Sequence, residues 1–338
     1  MKLFQTFFVY FLAVFFTYTV LAQEFGSVRS SYELKIPQKI QKLVLDPLPA
    51  GTYTVGTGGY FPTIDSAFNK LSIDGIAGEV VLELTDTLYT APTEIYGFSL
   101  NGPIPGAGPN SRVTIRPAEN KNVLIQGSGG DQLTAINTNY VTIDGISLTG
   151  PTTLTVHALY NDQMPWNAGI DFIDNSDHNI FRNITFISDD IYRNGSGAGL
   201  YTRTGVNTAA DSNLIENNFI KKCGKAGIYL TFDASNIRGM GNIIRGNFIG
   251  SETDSVLGWG IQVEHAQNTV VENNIIQNLK HTPTNVPNVL NVGINSYSGM
   301  GDIIRNNLVH SVRSSTGYTA VGILLSGGSN NMIYNNMI

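Results

Sequence analysis

The chain has 338 residues, of which 14% are charged, and its formal net charge is −6. A typical soluble domain has about 25% charged residues, so this chain is poor in charge. Its acidic balance excludes nucleic acid as an expected partner, and its single cysteine, Cys223, excludes a disulfide framework and a cysteine-rich zinc site.

Residues 1–22 have the pattern of a signal peptide. Lys2 supplies a positive end, residues 3–20 form an apolar run, and Val20-Leu21-Ala22 matches a small-residue cleavage site. An uncleaved membrane anchor is the alternative, because the run is nearly long enough to span a bilayer. No second apolar stretch has that length. We therefore expect a secreted, extracellular or outer-surface protein with no transmembrane segment after signal cleavage.

A lead-in and a cap are predicted to precede the main fold. Residues 23–50 are interpreted as a linker or lead-in, and residues 51–112 as an N-terminal cap with the first strands. Thr63 is the predicted N-cap of a short helix whose apolar residues recur at helical spacing. These residues are Ile64, Ala67, Phe68 and Leu71. Strands are predicted at Val80–Leu84 and at residues 113–115. A helix followed by strands suits a plug that protects the first coil from edge pairing.

A six-residue sequence pattern, which we call the first frame, recurs along the rest of the chain at steps of 27 to 38 residues. Its third place is always Gly or Asn, flanked by large apolar residues. The third-place residues are Gly145, Asn183, Asn217, Gly246, Asn273, Asn306 and Asn335. Since Gly and Asn adopt a left-handed backbone most readily, the frame predicts a positive φ and a chain reversal at this point of each coil.

Later copies of the frame carry a further Asn directly after the reversal. These residues are Asn218, Asn247, Asn274, Asn307 and Asn336. We expect them to stack as an internal ladder in which each amide bonds the next coil. Their expected role is structural.

A second frame alternates with the first and places Gly before a large apolar residue. Its glycines are Gly169, Gly199, Gly227, Gly260, Gly293 and Gly322. Two interleaved frames with this step length suit a three-strand solenoid in which each coil pairs with its neighbours. The last copy of the first frame closes on Ile338, so we expect either a fragment of a longer protein or an exposed last coil.

The two frames resemble the parallel β-helix repeats of pectin-lyase-like proteins over residues 110–338. Residues 50–92, together with Val141–Gly145, resemble the N-terminal region of large secreted β-helix proteins common in Bacteroidota. The resemblance implies an all-β fold, a right-handed parallel β-helix solenoid over residues 113–338 with a short N-terminal capping helix. It names no activity, because one fold hosts many functions.

The catalytic residues of known enzymes with this fold are not matched in this sequence. Polygalacturonases of the fold place an acid or His just before the second-frame Gly, whereas here every such residue is apolar. They are Ala168, Ala198, Ala226, Trp259, Val292 and Val321. A hydrolase with two catalytic carboxylates is therefore disfavoured, and Asp189-Asp190 is interpreted as part of a solvated loop. The sequence assigns no catalytic residue, no metal ligand and no cofactor.

The outward positions of the Gly-Ile strands form a candidate substrate-binding strip. We assign to it Asp171, Tyr201, Arg203, Tyr229, Gln262, Glu264, His265, Asn295 and Tyr297. At about 4.8 Å per coil, six coils would make a strip of roughly 24 Å, long enough for several sugar units. The tyrosines would stack on sugar rings while the charged groups bond hydroxyls or carboxylates. The alternative is an ordinary solvent face on which the tyrosines support the sheet.

Two functions stay open at this point. The first is a secreted or cell-surface protein that is non-catalytic and either binds a polysaccharide or cell-surface glycan or has a structural, adhesive role. The second is a carbohydrate-active enzyme, namely a polysaccharide lyase acting on an acidic polysaccharide. The lyase would need Ca²⁺ to neutralise a uronate and an Arg or Lys as base.

Overall fold

The computed structural model describes residues 45–159, 167–189, 197–203, 208–232, 237–280, 290–314 and 319–338. The predicted signal peptide and most of the predicted lead-in lie outside these residues. Among the described helices there is none with the length and apolarity needed to cross a membrane.

The helix α1 (Ile64–Asp74) has the predicted cap. The Thr63 hydroxyl accepts from the Ser66 amide over 3.1 Å, and Ser66 Oγ accepts from the Thr63 amide over 3.2 Å. The four predicted apolar residues are buried, and the helix ends at Gly75, whose φ is 75°. The side chains of the helix thereby join the core of the first coils.

The remaining elements are strands, which form three long parallel sheets and one short pair. The first sheet contains β1 (Gly51–Val55), β2 (Val80–Leu84), β5 (Val113–Pro117), β8 (Val141–Asp144), β11 (Ile180–Arg182), β14 (Leu214–Glu216), β18 (Ile243–Arg245), β22 (Val270–Glu272), β25 (Ile303–Arg305) and β28 (Met332–Tyr334). The second contains β3 (Leu88–Thr90), β6 (Asn122–Gly127), β9 (Thr153–Ala158), β12 (Ile184–Ser188), β15 (Phe219–Lys222), β19 (Phe248–Ile249), β23 (Ile275–Gln277) and β26 (Leu308–His310). The third contains β4 (Phe98–Asn101), β7 (Leu133–Ile136), β10 (Ala168–Ile173), β13 (Ala198–Arg203), β16 (Ala226–Thr231), β20 (Trp259–Glu264), β24 (Asn291–Tyr297) and β27 (Ala320–Ser326). The short pair is β17 (Gly239–Met240) with β21 (Ala266–Gln267).

Successive coils contribute one strand to each long sheet, so the molecule is a parallel β-solenoid. In the first sheet, for example, Ile215 pairs with Ile244, and Ile244 pairs with Val271. All three side chains are buried, because the frame repeats a large apolar residue at the same inward position. Stacked Ile, Leu, Val and Phe side chains from all three sheets form one continuous core.

The predicted chain reversals are confirmed at six of the seven third-place residues. Positive φ values of 54° to 64° occur there, and the residues are Asn183, Asn217, Gly246, Asn273, Asn306 and Asn335. Gly145 is the exception and the prediction is wrong there, since its φ is not positive. A side chain at Gly145 would place its Cβ 1.8 Å from the carbonyl oxygen of Asn183. Glycine is required at that position by close backbone approach rather than by backbone angle.

The predicted asparagine ladder is also confirmed. Asn247 illustrates it, since its backbone amide and its side-chain Nδ2 donate to Asn274 Oδ1 over 2.9 and 3.0 Å. The same side chain also donates to the carbonyl of Ile215 over 3.0 Å. Each rung therefore satisfies buried backbone groups of its neighbours, which would otherwise lose hydrogen bonds to water without replacement.

A second internal row runs along the turns that precede the first-sheet strands. It contains Asn179, Asn213, Asn242, Thr269, Asp302 and Asn331, and amide-to-side-chain hydrogen bonds join Asn179 to Asn213, Asn213 to Asn242, Thr269 to Asp302 and Asp302 to Asn331. Asn213, for example, donates its amide to Asn242 Oδ1 over 2.9 Å. Thr269 and Asp302 are the two members of the row that are not asparagine.

The outer face of the first sheet carries a ladder of alternating charge. Each side chain pairs across the register with one of opposite sign, and the ladder runs Asp144, Arg182, Glu216, Arg245, Glu272, Arg305. Arg245 and Glu216 approach to 2.8 Å and Arg305 and Glu272 to 2.6 Å. The alternation stabilises one register, because a slip by one coil would juxtapose like charges. At the last coil, the side chains of Ile333, Met337 and Ile338 are exposed.

Candidate functional site

The third sheet is bulged at each second-frame Gly, which sets the outer face of the sheet. Ala168 pairs with Ala198 and Ile170 with Leu200, so the intervening glycines fall outside the register. A Cβ at Gly169 would lie 2.5 Å from the ring of Phe186 in the core. The bulge therefore turns Ala168 outward while Ile170 stays buried in the core.

Two outward rows cross the third sheet beyond the bulge. One row places Asp171, Tyr201, Tyr229, Gln262 and Asn295 on successive strands. The other, two residues further along each strand, places Thr231, Glu264 and Tyr297 side by side. The register thus brings together side chains that are 28 to 33 residues apart in the sequence.

The carboxylate of Glu264 is the centre of a hydrogen-bonded network. Its Oε2 accepts from Tyr229 Oη and from Thr231 Oγ1, both over 3.0 Å. Its Oε1 accepts from Gln262 Nε2 over 2.9 Å, and Gln262 Oε1 accepts in turn from Asn295 Nδ2 over 2.7 Å. We call Tyr229, Thr231, Gln262, Glu264, Asn295 and Tyr297 the Glu264 patch.

Asn295 ends this network with an unused acceptor. Its side chain is buried, and its Oδ1 has no hydrogen-bond partner in the structure. Buried polar atoms are nearly always hydrogen-bonded, so an unpaired oxygen beside an ordered network indicates a place for an additional donor. A buried water molecule would satisfy it.

Tyr297 contributes the accessible aromatic ring of the patch. Its side chain is 44% exposed and lies next to Glu264 in the register. The imidazole of His265 meets this ring edge-on, with ring centroids 5.4 Å apart. An exposed ring supported from one side is a platform on which a flat apolar ligand face can stack.

Tyr201 and Tyr229 lie in a different environment. Their side chains are only 7% and 8% exposed, and they pack with Ala168, Ala198 and Ala226 in an apolar cluster separate from the core. The two rings are 5.2 Å apart. Both ring faces are therefore covered by protein here, and stacking of these two rings on sugars stays a prediction.

Burial and a neighbouring charge determine the protonation of Tyr229. Burial, and secondarily the Glu264 carboxylate, raise the pKa of Tyr229 above its ordinary value, so its hydroxyl remains a donor. On its other side the ammonium of Lys225 lies 4.5 Å from the Tyr229 ring centroid and 5.6 Å from that of Trp259. Burial lowers the pKa of Lys225, and Glu264 partly counteracts that effect.

Two predicted strip residues stand apart from the patch. Asp171 is fully buried and lies three strands from Gln262, which places its backbone about 14 Å away at ~4.8 Å per strand. Catalytic carboxylate pairs of glycosidases are about 5 to 10 Å apart, so Asp171 and Glu264 do not form one. Arg203 ends β13, and its side chain lies outside the described part of the chain.

The sequence reasoning missed a cluster at the end of the second sheet. The Asp189 carboxylate lies 2.9 Å from His157 Nε2 and 3.2 Å from Lys222 Nζ. Burial opposes ionisation of Asp189, but the hydrogen bond from Lys222 and the interactions with His157 outweigh it and lower its pKa. Asp189, which we expected in a solvated loop, is thus held by two partners on neighbouring strands. The strand register would have revealed this cluster, because it aligns His157 with Ile187 and Ile187 with Lys222.

Within the described ranges, no group of three or more His, Cys, Asp or Glu side chains is arranged to hold a metal ion. The lyase alternative would require such a site or an equivalent supplied together with the substrate.

A family model matches the repeat region. The family model described as "Right handed beta helix region" matches residues 110–338, more than half of the chain. The description includes the right-handed winding that the sequence predicts. The comparison with curated proteins finds no match.

Solved structures of similar shape include three carbohydrate-active enzymes. A lacto-N-biosidase of family GH136 from Eubacterium ramulus has a TM-score of 0.47 at 10% identity, over 85% of this chain and 67% of that one. An alginate lyase from Paenibacillus sp. has a TM-score of 0.41 at 14% identity, over 86% and 99%. A pectate lyase from Xanthomonas campestris has a TM-score of 0.39 at 13% identity, over 82% and 81%. Likenesses this distant concern the general fold and carry no argument about activity.

Proposed function

We propose that this protein, which belongs to the right-handed β-helix family, binds a glycan at the Glu264 patch and is a non-catalytic surface or extracellular protein. The observation that carries the proposal is an exposed Tyr297 ring beside an ordered row of carboxylate and amide groups that ends in an unused acceptor, Asn295 Oδ1. Sugars present an apolar ring face and a rim of hydroxyl groups, and this combination complements both.

The polar part of the patch is suited to hydroxyl recognition. Glu264 and Gln262 are held by one another and by Tyr229 and Thr231, so their orientation is set before a ligand arrives. Pre-oriented groups lose little side-chain entropy on binding, which favours affinity. The sugar ring would rest on Tyr297, and its hydroxyls would bond the partly exposed carboxylate of Glu264 beside it.

The same geometry disfavours hydrolysis at this place. Glu264 is the carboxylate of the patch, and Asp171 lies too far away to serve as a second acid or base. The pKa of Tyr229 is raised, which suits a hydrogen-bond donor and not a base. Binding without turnover is the function that these groups support best.

The test is binding to a panel of soluble polysaccharides that includes polygalacturonate, alginate, xylan and β-glucan. Tyr297→Ala should weaken binding of the best ligand about tenfold, which corresponds to ~1.4 kcal/mol of lost stacking. Glu264→Gln keeps the shape of the side chain, removes its charge, and should weaken binding by about the same factor or more.

Tyr60→Ala is the matched control. The Tyr60 side chain is 63% exposed and belongs to the loop after β1, far along the chain from the patch. It should leave affinity unchanged. Equal losses for the Tyr60 and Tyr297 variants, or no binding by the wild type to any member of the panel, would contradict the proposal.

A polysaccharide lyase is the second candidate, and the environment of Lys225 is the observation that favours it. Burial lowers the pKa of Lys225, and a desolvated lysine packed over a tyrosine ring is the kind of group that can accept a proton next to a uronate carboxylate. Incubation of the protein with polygalacturonate or alginate, with and without added Ca²⁺, tests it. Formation of unsaturated uronates by the wild type, and its loss in Lys225→Met, would support the lyase. If no unsaturated uronates form with or without Ca²⁺, glycan binding is the function that remains.

A further inference from the structure

Asp302 belongs to the internal row of six turn residues, of which four are asparagine and one is Thr269. Asn213 and Asn242 precede it in the row and Asn331 follows it. The Asp302 side chain is fully buried, although it carries an acid. Burying a carboxylate without a paired cation costs free energy, so the presence of Asp302 in this row requires a physical explanation.

An asparagine of this row uses one oxygen as acceptor and its amide as donor. Asn242 Oδ1 accepts from the Asn213 amide, and Asn242 Nδ2 donates to the carbonyl of Ala210 over 2.9 Å. Asn331 does the same with the Asp302 amide and the carbonyl of Gly299. An ionised carboxylate has acceptors only, whereas a neutral carboxylic acid has one acceptor and one donor, as asparagine does.

Burial without an ion-paired cation among the described residues favours the neutral form of Asp302, although its hydrogen bonds also suit a carboxylate. Its Oδ1 accepts from the Thr269 amide over 3.0 Å, and its Oδ2 lies 2.9 Å from Ser296 Oγ. The serine hydroxyl can donate to a carboxylate or accept from a carboxylic acid. The backbone of Gly299 covers the acid so closely that a Cβ there would lie 2.0 Å from Oδ2. Burial raises the pKa of Asp302 above its ordinary value, although the Thr269 amide, Ser296 and Arg238 oppose the shift.

Ser296 links this acid to the Glu264 patch. It is the inward residue between Asn295 and Tyr297 on β24, and both of those residues belong to the patch. The segment from Ser298 to Asp302 turns directly from that strand to the next one. A change in the Ser296–Asp302 contact therefore acts on the end of the strand that positions the Tyr297 ring and the Asn295 amide.

We propose that Asp302 is a proton-dependent positioning residue, which as a neutral acid holds the 296–302 turn closed and keeps the Glu264 patch in its binding geometry. When Asp302 ionises, the turn opens to hydrate the carboxylate, and Asn295 and Tyr297 lose their fixed positions. The sign follows from the raised pKa. Protonation is favoured by the closed form, so the closed form is most stable at low pH and loses stability as the pH rises through the folded-state pKa of Asp302.

Other charged and titratable groups near this turn need to be separated from Asp302. Arg238 donates to the carbonyl of Ser298 and lies 3.5 Å from that of Ala266. His265 contacts the Tyr297 ring from the neighbouring strand, and Glu264 lies beside Tyr297 on the outer face. Thr269, Ser296 and Asn331, which contact Asp302 directly, are uncharged. The substitution Asp302→Asn keeps all these groups and removes only the proton-binding oxygen.

The first test needs no glycan. Hydrogen exchange of the amides of residues 295–302 is followed by mass spectrometry from about pH 3, below the ordinary Asp pKa of about 3.9, to pH 8, with correction for the intrinsic exchange rate. Wild-type protection should fall with rising pH, by about tenfold for each unit by which the pKa is raised. In Asp302→Asn protection should be high and constant within about twofold, since an amide completes the row at any pH.

Two further variants keep the test decisive. Ser296→Ala removes the partner of Oδ2 and should shift the pH response while retaining it. Asn331→Asp places an acid in the next turn of the row and should confer a pH response there and not at residues 295–302. An identical pH dependence in the wild type and in Asp302→Asn would overturn the proposal and assign the effect to His265 or another group.

The link to binding rests on the proposed function and is tested separately. With the polysaccharide that the wild type binds best, affinity should fall about fivefold or more from about pH 3 to pH 8, while the affinity of Asp302→Asn should change little. If the pH dependence of hydrogen exchange is lost in Asp302→Asn but affinity does not depend on pH, the coupling of Asp302 to the Glu264 patch is refuted, while glycan binding at the patch is not. If no polysaccharide binds at any pH, the proposed function fails, and the exchange data alone decide whether Asp302 controls the turn.

Discussion

Asn274 Nδ2 donates to Asn307 Oδ1 over 3.0 Å, although the two residues are 33 positions apart in the chain. Asn274 Oδ1 accepts from the amide and the side chain of Asn247 on its other side. This contact between equivalent side chains in successive coils shows how a repeated residue satisfies buried backbone groups of its neighbours.

Replacing an inner rung of this ladder should be costly. Asn274→Ala removes the acceptor of the Asn247 amide and leaves buried groups unpaired, so we expect a loss of about 2 to 4 kcal/mol in the free energy of unfolding. Denaturant titration followed by circular dichroism measures it. Asn336→Ala, at the half-buried last rung, is the control and should cost clearly less. Similar losses at both rungs would contradict the assigned role of burial.

Two glycines of the same frame should respond oppositely to asparagine. Gly246 has a φ of 64°, the angle at which the frame elsewhere carries asparagine, and its nearest neighbour is the mobile end of the Asn217 side chain. Gly246→Asn should therefore change stability by no more than about 1 kcal/mol. Gly145→Asn would push a Cβ against the Asn183 carbonyl oxygen and should cost about 3 kcal/mol or more. Thermal unfolding of the two variants side by side distinguishes close approach from backbone angle as the reason for glycine.

Reversing the charge of an inner side chain of the charge ladder in the first sheet should destabilise the protein. Arg245 lies between Glu216 and Glu272, so Arg245→Glu would place three acids in a row. These side chains are partly exposed, and we expect a loss of about 1 kcal/mol at low salt that shrinks in 1 M NaCl. Arg305→Glu, whose neighbours are Glu272 and the uncharged Tyr334, should lose less. A loss that does not depend on salt would indicate packing rather than charge as its cause.

Cys223 should be unreactive in the native protein. Its side chain is fully buried, and burial raises the pKa of the thiol, so neither access nor thiolate formation is favoured. Labelling by a disulfide reagent at pH 8 should be about a thousandfold slower than in guanidinium chloride, which corresponds to an opening free energy of ~4 kcal/mol. Rapid labelling without denaturant would show that the turn between the second and third sheets opens locally.

The sequence alone determined the repeating architecture, because the repeat is a local pattern. The third-place Gly or Asn and the apolar flanks recur in each copy, and a further Asn follows in the later copies; each has a conformational or packing reason that holds without knowledge of the partner. The same is true of α1, whose capping residue Thr63 and apolar spacing are contained within eleven residues. Gly145 departs from the rule because the carbonyl that excludes a side chain there belongs to Asn183, in the next coil.

The tertiary structure alone decided which outward residues meet. The lengths of the inserted connections differ from coil to coil, so sequence spacing does not show that Glu264 receives Tyr229, Thr231 and Gln262, or that His157 and Lys222 share Asp189. Burial is equally non-local. Tyr201 and Tyr229 occupy outward positions and are nevertheless covered, whereas Tyr297 on the same face is exposed, because coverage depends on what packs above a strand. Asp302 shows the same limit, since its chemistry depends on Thr269 and Asn331, which belong to the adjacent coils and reach it only when the coils stack.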